Sequence, residues 1–357
     1  MAKNIVIVGG GISGVATSYF LARRGIPSTL VDPVGIAPAA SGKAGGFLAL
    51  DWNDGSSVGP LARKSFGLHA ELAKEFGEAT VDYRRLTCKA VACGGHGGGT
   101  LRQKKVAGVE WADLGVIGSQ PMGDETSIAQ VHPKKLCDSL WAASERLAGS
   151  TLTLGQAEAV ETDTDTGSVC GVRLSGGRAL DADAVLLAMG PWSPSWLGLP
   201  TALGVKYHSL IMRPGRTHSQ AVFVQGLGDP EVYPRPDGTA YVTGFPDPAA
   251  VVREKPGEVD VRSDACERLQ AAVQQVSTEF AAAPVEVAQA CHLPVVGDGS
   301  PLLGSVPGTP GAYVATGGGC WGILCGPAIG LGMAELIVDG MASSVDLQPF
   351  SPARFMR

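Results

Sequence analysis

The chain has 357 residues, with 28 Lys+Arg against 34 Asp+Glu, for a net charge of −6. At 45% hydrophobic and without polar tracts it can bury a sizeable core, which excludes a disordered protein; the lack of a basic run argues against nucleic acid as a partner. The 50 glycines fall in clusters, and the eight cysteines contain no C-x-x-C pair, so tight turns, reduced thiols and no bound metal are expected.

The first element is Ile5-Val6-Ile7-Val8, a β-branched run suited to a central parallel strand. It meets Gly9-Gly10-Gly11-Ile12-Ser13-Gly14, then a helix over 15–24 with Gly25 to end it, then a strand over 28–31 and Asp32. This is G-x-G-x-x-G inside a βαβ start, with an acid 18 residues after the last glycine. Gly9 serves the turn, Gly11 lets the backbone approach a pyrophosphate, and Gly14 lets the helix pack on the strand. The helix N-terminus offers free N–H groups, and Asp32 can accept from ribose hydroxyls.

A loop of small residues follows at once, Ala39-Ala40-Ser41-Gly42-Lys43-Ala44-Gly45-Gly46-Phe47. Such a loop can lie along a pyrophosphate and press its backbone on a flat ring. Lys43 either neutralises phosphate or stands by the reacting edge of that ring. Further on, Val131-His132-Pro133-Lys134-Lys135-Leu136 opens an amphipathic helix to residue 147. Strands are expected over 151–154 and 157–162, and a hairpin over 169–180 turned by Gly176-Gly177. A strand over 184–188 then ends in Met189-Gly190-Pro191-Trp192-Ser193. Near the C-terminus, Leu293-Pro294 to Gly304 leads to a strand ending at Thr316, the glycine turn from Gly317, and a helix beginning near Trp321-Gly322-Ile323. That helix N-terminus can face the edge of a flat redox ring that becomes negative on reduction. The apolar stretch over 313–338 is broken by glycines and carries Glu335, so it is expected to be a buried strand, turn and helix. Met1 to Asn4 lead straight into the apolar run, so no signal peptide is expected. A soluble, cytoplasmic protein without a membrane span is expected.

Together these segments resemble the D-amino-acid oxidase, glycine oxidase and sarcosine oxidase superfamily of FAD-dependent oxidoreductases. "AASGKAGGFLALDW" resembles a eukaryotic branch of it. The resemblance implies an α/β chain of two domains. Residues 1–80, 131–203 and 291–357 would form a Rossmann-like FAD-binding domain. Residues 81–130 and 204–290 would form an inserted antiparallel β-sheet that covers the flavin. Short strands are expected over 83–91, 206–212, 220–225, 232–234 and 240–243, with a helix over 263–280. The glycine run around His96 reads as a hairpin tip.

The implied FAD contacts are Gly9, Gly11, Ile12, Ser13, Gly14, Asp32, Pro33, Ala40, Ser41, Lys43, Gly45, Gly46, Phe47, Ala157, Gly190, Trp192, Cys291, Gly317, Gly319, Cys320, Trp321, Gly322 and Ile323. Cys291 falls where sarcosine oxidases bond a cysteine to the flavin 8-methyl carbon; noncovalent FAD is the expected state. The family's carboxylate-binding arginines are replaced by Leu293 and Cys320, and residues 47–50 lack a basic side chain. Arg235, Arg213, Lys206, His208 and Arg84 are the other candidates for an anchor, and His292 either nears the ring or is an ordinary strand histidine. Lys43, His208, Arg235 and Trp321 are the catalytic candidates. The expected activity is oxidation of a C–N bond in an amine or amino-acid-like small molecule by hydride transfer to flavin N5. Oxygen or another acceptor would re-oxidise the flavin, in a monomer or homodimer. The alternative is an FAD-binding assembly or trafficking factor with little oxidase activity.

Overall fold

The computed structural model describes residues 4–94, 103 and 105–355. The expected hairpin tip around His96 lies outside them. In chain order the elements begin with β1 (Ile5–Val8), α1 (Ile12–Ala22), β2 (Thr29–Asp32), α2 (Ala40–Lys43) and β3 (Phe47–Ala49). Next come α3 (Gly59–Phe76), α4 (Glu78–Val81), β4 (Arg84–Arg85), β5 (Thr87–Cys93), β6 (Val116–Gly123), β7 (Ile128–Gln130) and α5 (Pro133–Ala148). The middle holds β8 (Thr151–Leu154), β9 (Ala157–Thr162), β10 (Val169–Leu174), β11 (Ala179–Asp181) and β12 (Ala184–Leu187). Then follow β13 (Leu203–Met212), β14 (Gln220–Gln225), β15 (Glu231–Pro234), β16 (Ala240–Gly244), α6 (Ser263–Gln274) and α7 (Thr278–Ala282). The chain closes with β17 (Val285–Val295), β18 (Leu302–Ser305), β19 (Ala312–Thr316) and α8 (Gly322–Asp339).

The first sheet runs β18-β19-β12-β1-β2-β8, parallel except for β18. β1 is at its centre and fully buried, so both faces of the strand are apolar. Ile5 and Ile7 pack under α1, α3, α5 and α8, while Val6 and Val8 pack on the β9–β11 meander. α8 is apolar enough by length and composition to cross a membrane, but 72% of that stretch is buried within the protein. Small residues let it lie close to α1: a Cβ at Gly330 would stand 2.5 Å from the Ala16 Cβ.

The second sheet runs β17-β13-β16-β15-β14-β5-β6. It is mixed rather than antiparallel, because β14 and β5 pair in parallel. Leu210, Met212, Val222 and Val242 face α6 and α7, and Ile211, Ala221, Tyr233 and Tyr241 face the other way. That second face packs on a small sheet, β3-β7-β4, that follows the small-residue loop. The helix expected over 263–280 is two helices, because Ser277 adopts an extended conformation and its side chain caps α7 through the Phe280 N–H. β17 continues to Val295, past residue 290 where the inserted segment was expected to end.

Candidate active site

The turn after β1 is built by three glycines with different duties. Gly9 has φ +116°, and a Cβ there would lie 2.3 Å from the Ala188 carbonyl oxygen. A Cβ at Gly14 would lie 2.0 Å from the Gly9 oxygen, so this glycine sets the approach of α1 to the turn. A Cβ at Gly11 meets only Ser41 Oγ at 3.2 Å, and the residue lines a cavity. Gly11 caps α1 without a side-chain bond, and the Ile12 N–H donates to Ser41 Oγ at 3.0 Å. The next amides of the first turn have no intrahelical acceptor, and the helix dipole makes this end attractive to phosphate.

The cavity measures roughly 350 Å³. It begins at Asp32, Pro33, Gly155, Gln156 and Ala157, and passes Gly9, Gly11, Ile12, Ser13, Pro38, Ala40, Ser41 and Ala44. It then runs by Gly190 and Trp192 to Gly317, Gly319, Cys320, Gly322 and Ile323 at the start of α8. Asp32 is the one charged residue among the described residues that line it. Its Oδ2 accepts from the Gly10 N–H at 2.9 Å, and Oδ1 accepts from the Val34 and Gly35 N–H groups at 2.9 and 3.0 Å. Lone pairs remain for a ribose hydroxyl, since each carboxylate oxygen can accept twice. An elongated groove with an acid at one end, a helix N-terminus in the middle and a second at the far end fits a flavin dinucleotide.

Several expected residues are not among those that line the cavity. Lys43 does not line the cavity; its Nζ donates to the Ala290 carbonyl oxygen at 3.1 Å, which ties α2 to β17. Gly45 and Gly46 are small because protein presses on them. A Cβ at Gly45 would stand 2.4 Å from the Tyr233 ring, and one at Gly46 1.8 Å from the Val131 oxygen. The Phe47 ring stacks on Tyr233 at 5.0 Å. His208 falls on the α6 face of β13, buried, where Nε2 accepts from the Arg262 N–H at 3.1 Å. Strand alternation sends the preceding Tyr207 to the opposite side. Burial is the main reason that the His208 imidazole stays below its ordinary pKa.

The proposed carboxylate anchors are also engaged. Arg235 is buried over the Tyr241 ring, 5.6 Å from its centroid, with Nη2 3.5 Å from the Ala44 oxygen. It stands one layer behind the cavity wall. Arg84 donates to the Pro234 oxygen, and Arg213 pairs with Glu286 on the surface. Lys206 and His292 both bind Glu254, at 2.8 Å each. Burial pushes the Glu254 carboxyl up, but those two partners outweigh it and hold it at about 2. The Trp192 indole N–H donates to the Glu254 carbonyl oxygen at 2.7 Å, so this segment closes over the cavity beside Pro256.

Leu293 and Cys320 line the cavity, and Trp321 is half-buried next to Cys320. Cys291 sits two residues before Leu293 on β17, buried, with its thiol pushed up to about 11 by burial against a smaller opposing effect of Lys43. Sequence reasoning overlooked an aromatic layer at this end. Trp52 packs on Phe47 at 5.1 Å, on Phe223 at 5.2 Å and edge-on to Trp321 at 6.2 Å. Glu231 is also there, and its carboxylate accepts from the Tyr233 hydroxyl. The alternation of Glu231 and Tyr233 in a short strand was the available signal, since it puts both on one face.

Known proteins share this architecture. The chain matches the DAO family, described as FAD dependent oxidoreductase, over residues 4–336. A Schizosaccharomyces pombe protein named as an oxidoreductase is 31% identical, with 98% of each chain covered. The glycine oxidase of Pseudomonas aeruginosa is 26% identical, with 99% of each covered. The crystal structure of glycine oxidase from Geobacillus kaustophilus superposes with a TM-score of 0.80 at 22% identity, covering 99% of this chain and 98% of that one. A family match across nearly the whole chain, on a cavity with an acid and two helix N-termini, leads to one conclusion: the chain belongs to the DAO family of FAD-dependent oxidoreductases.

Proposed function

We propose that this enzyme oxidises a C–N bond of a small amine to an imine, with oxygen as the electron acceptor. The observation that carries this is the far end of the cavity. There the start of α8 meets the aromatic layer of the second sheet, and no lysine, arginine or histidine is among the described residues that line the space. FAD, when bound, supplies the hydride acceptor. The protein's part is to hold the dinucleotide and orient a C–H bond. Gly11, Ser13 and Ser41 would hold the pyrophosphate through N–H and hydroxyl groups, with the Ile12 N–H fixing the Ser41 hydroxyl, and Asp32 would hold the ribose. The first turn of α8, from Gly322, would favour negative charge on the pyrimidine edge. Leu293 and Cys320 would flank the reacting carbon, with Trp321 and Trp52 packed beside them. Loss of hydride from a neutral amine requires no strong base, so the absence of an acid–base pair in the cavity fits this chemistry.

The test is anaerobic addition of secondary amines, D-amino acids and glycated amino acids to the yellow holoenzyme. Bleaching of the flavin by an amine supports the reading. A flavin that no member of the panel bleaches refutes it and leaves an FAD-binding protein without oxidase activity.

A further inference from the structure

An acid without a cationic partner stands inside the aromatic layer. Glu231 lies on β15 directly across from Phe223 on β14. Its one hydrogen bond among the described residues comes from the Tyr233 hydroxyl, and no lysine, arginine or histidine pairs with it there. Burial pushes its carboxyl up, and the Tyr233 bond opposes this. Glu231 is half-exposed, as are Trp52, Phe223 and Trp321, so this side of the layer is not sealed. Burial and then Glu231 raise the thiol of Cys320, a cavity-lining residue, and the Tyr207 hydroxyl responds in the same way. Around the acid, Phe47 stacks on Tyr233 at 5.0 Å and Phe223 lies 5.8 Å from Tyr233. Trp52 links Phe223, at 5.2 Å, to Trp321, at 6.2 Å.

We propose that Glu231 and the half-exposed rings of Trp52, Phe223 and Trp321 form a recognition site for an organic cation, so that the substrate carries a cationic group with an apolar flank beside the neutral amine that is oxidised, rather than being an amino acid held by its carboxylate. This rests on the reading above that a substrate amine is oxidised at this end of the cavity. A half-buried carboxylate without a counter-charge is costly, and a bound ammonium removes that cost. Ring faces attract cations electrostatically, and clustered aromatic side chains are a general solution for alkylammonium recognition. Among the described residues that line the cavity, none is a basic side chain that would draw a carboxylate instead.

The experiment is calorimetric titration of the FAD-loaded enzyme with choline, with its neutral isostere 3,3-dimethylbutan-1-ol, and with benzoate. Choline should bind about tenfold more tightly than the isostere, and benzoate should bind more weakly than either. Glu231→Gln should abolish the preference for choline while the flavin-to-protein ratio stays unchanged, and Trp52→Leu should weaken choline binding. Equal affinity for choline and the isostere overturns the proposal, as does tighter binding of benzoate or a Glu231→Gln enzyme that keeps the preference. The wild-type comparison decides the matter even if a variant fails to fold. Cation binding that depends on Glu231, in an enzyme that no amine reduces, would uphold the site and refute the catalytic reading. Reduction by amines without a cation preference would do the reverse.

Discussion

Acid should loosen the junction between α3 and α8 through His69. This side chain is 1% exposed, and its Nε2–H donates to the Ile323 and Leu324 carbonyl oxygens at 2.9 and 3.2 Å. Nδ1 is buried without a partner among the described residues, so a second proton there would meet no acceptor among them. Burial is the dominant effect and lowers the pKa from 6.5 to about 4, against the two carbonyl bonds. In the unfolded chain the imidazole titrates at its ordinary value. Between about pH 6.5 and pH 4 the unfolded state therefore binds more protons, and stability falls as pH falls. The difference of about 2.5 in pKa, at about 1.36 kcal/mol per unit, makes the full loss about 3 kcal/mol, of which about 2 kcal/mol is reached at pH 5. Because Ile323 lines the cavity, the loss should appear beside the cofactor. The assay is the urea midpoint, followed by tryptophan fluorescence with excess FAD at about pH 7.5 and about pH 5. His132 is lowered to about 4 as well, chiefly by burial, so the wild type should lose more than the His69 share alone. His69→Gln, whose amide can replace the Nε2–H donor, should lose about 2 kcal/mol less than the wild type over that interval. A His69→Gln protein whose pH dependence equals that of the wild type would show that His69 is not the titrating group.

Gly11→Leu should fold normally yet purify without FAD, because its side chain would enter the cavity. Gly14→Ala should instead lower the melting temperature, with its Cβ set 2.0 Å from the Gly9 oxygen; equal flavin content in both variants and the wild type would contradict this division. Glycine and D-alanine should be poor substrates, since Leu293 and Cys320 offer a carboxylate nothing to bind, and Leu293→Arg should lower KM for them. Fast oxidation of either amino acid by the wild type would refute this expectation. The flavin should be noncovalent, because burial keeps the Cys291 thiol protonated at about 11. Acid precipitation should leave all the colour in the supernatant, and colour in the pellet that a Cys291→Ser change releases would show a bond.

The nucleotide end was legible in the chain because its constraints are local. A tight turn, a helix start and an acid after the next strand follow one another within 28 residues, from Ile5 to Asp32, and each carries its own residue type. The same holds for the glycine turn before α8. The substrate end was not legible, because its residues come from separate strands and loops: Trp52, Phe223, Glu231 and Trp321 meet only when the second sheet packs on β3-β7-β4. Strand parity also decided the fate of the basic candidates. His208 and Tyr207 are adjacent in sequence, but a pleated strand sends them to opposite faces, so one supports α6 and the other shares a face with Cys291, its partner on β17. Gly45 shows the same division within one loop. Its small size could be read from the chain, but not what required it, and the structure assigns that pressure to the Tyr233 ring from a strand almost two hundred residues away. Composition and spacing constrain what a segment can do, whereas the partner it meets is set by the register and packing of distant strands.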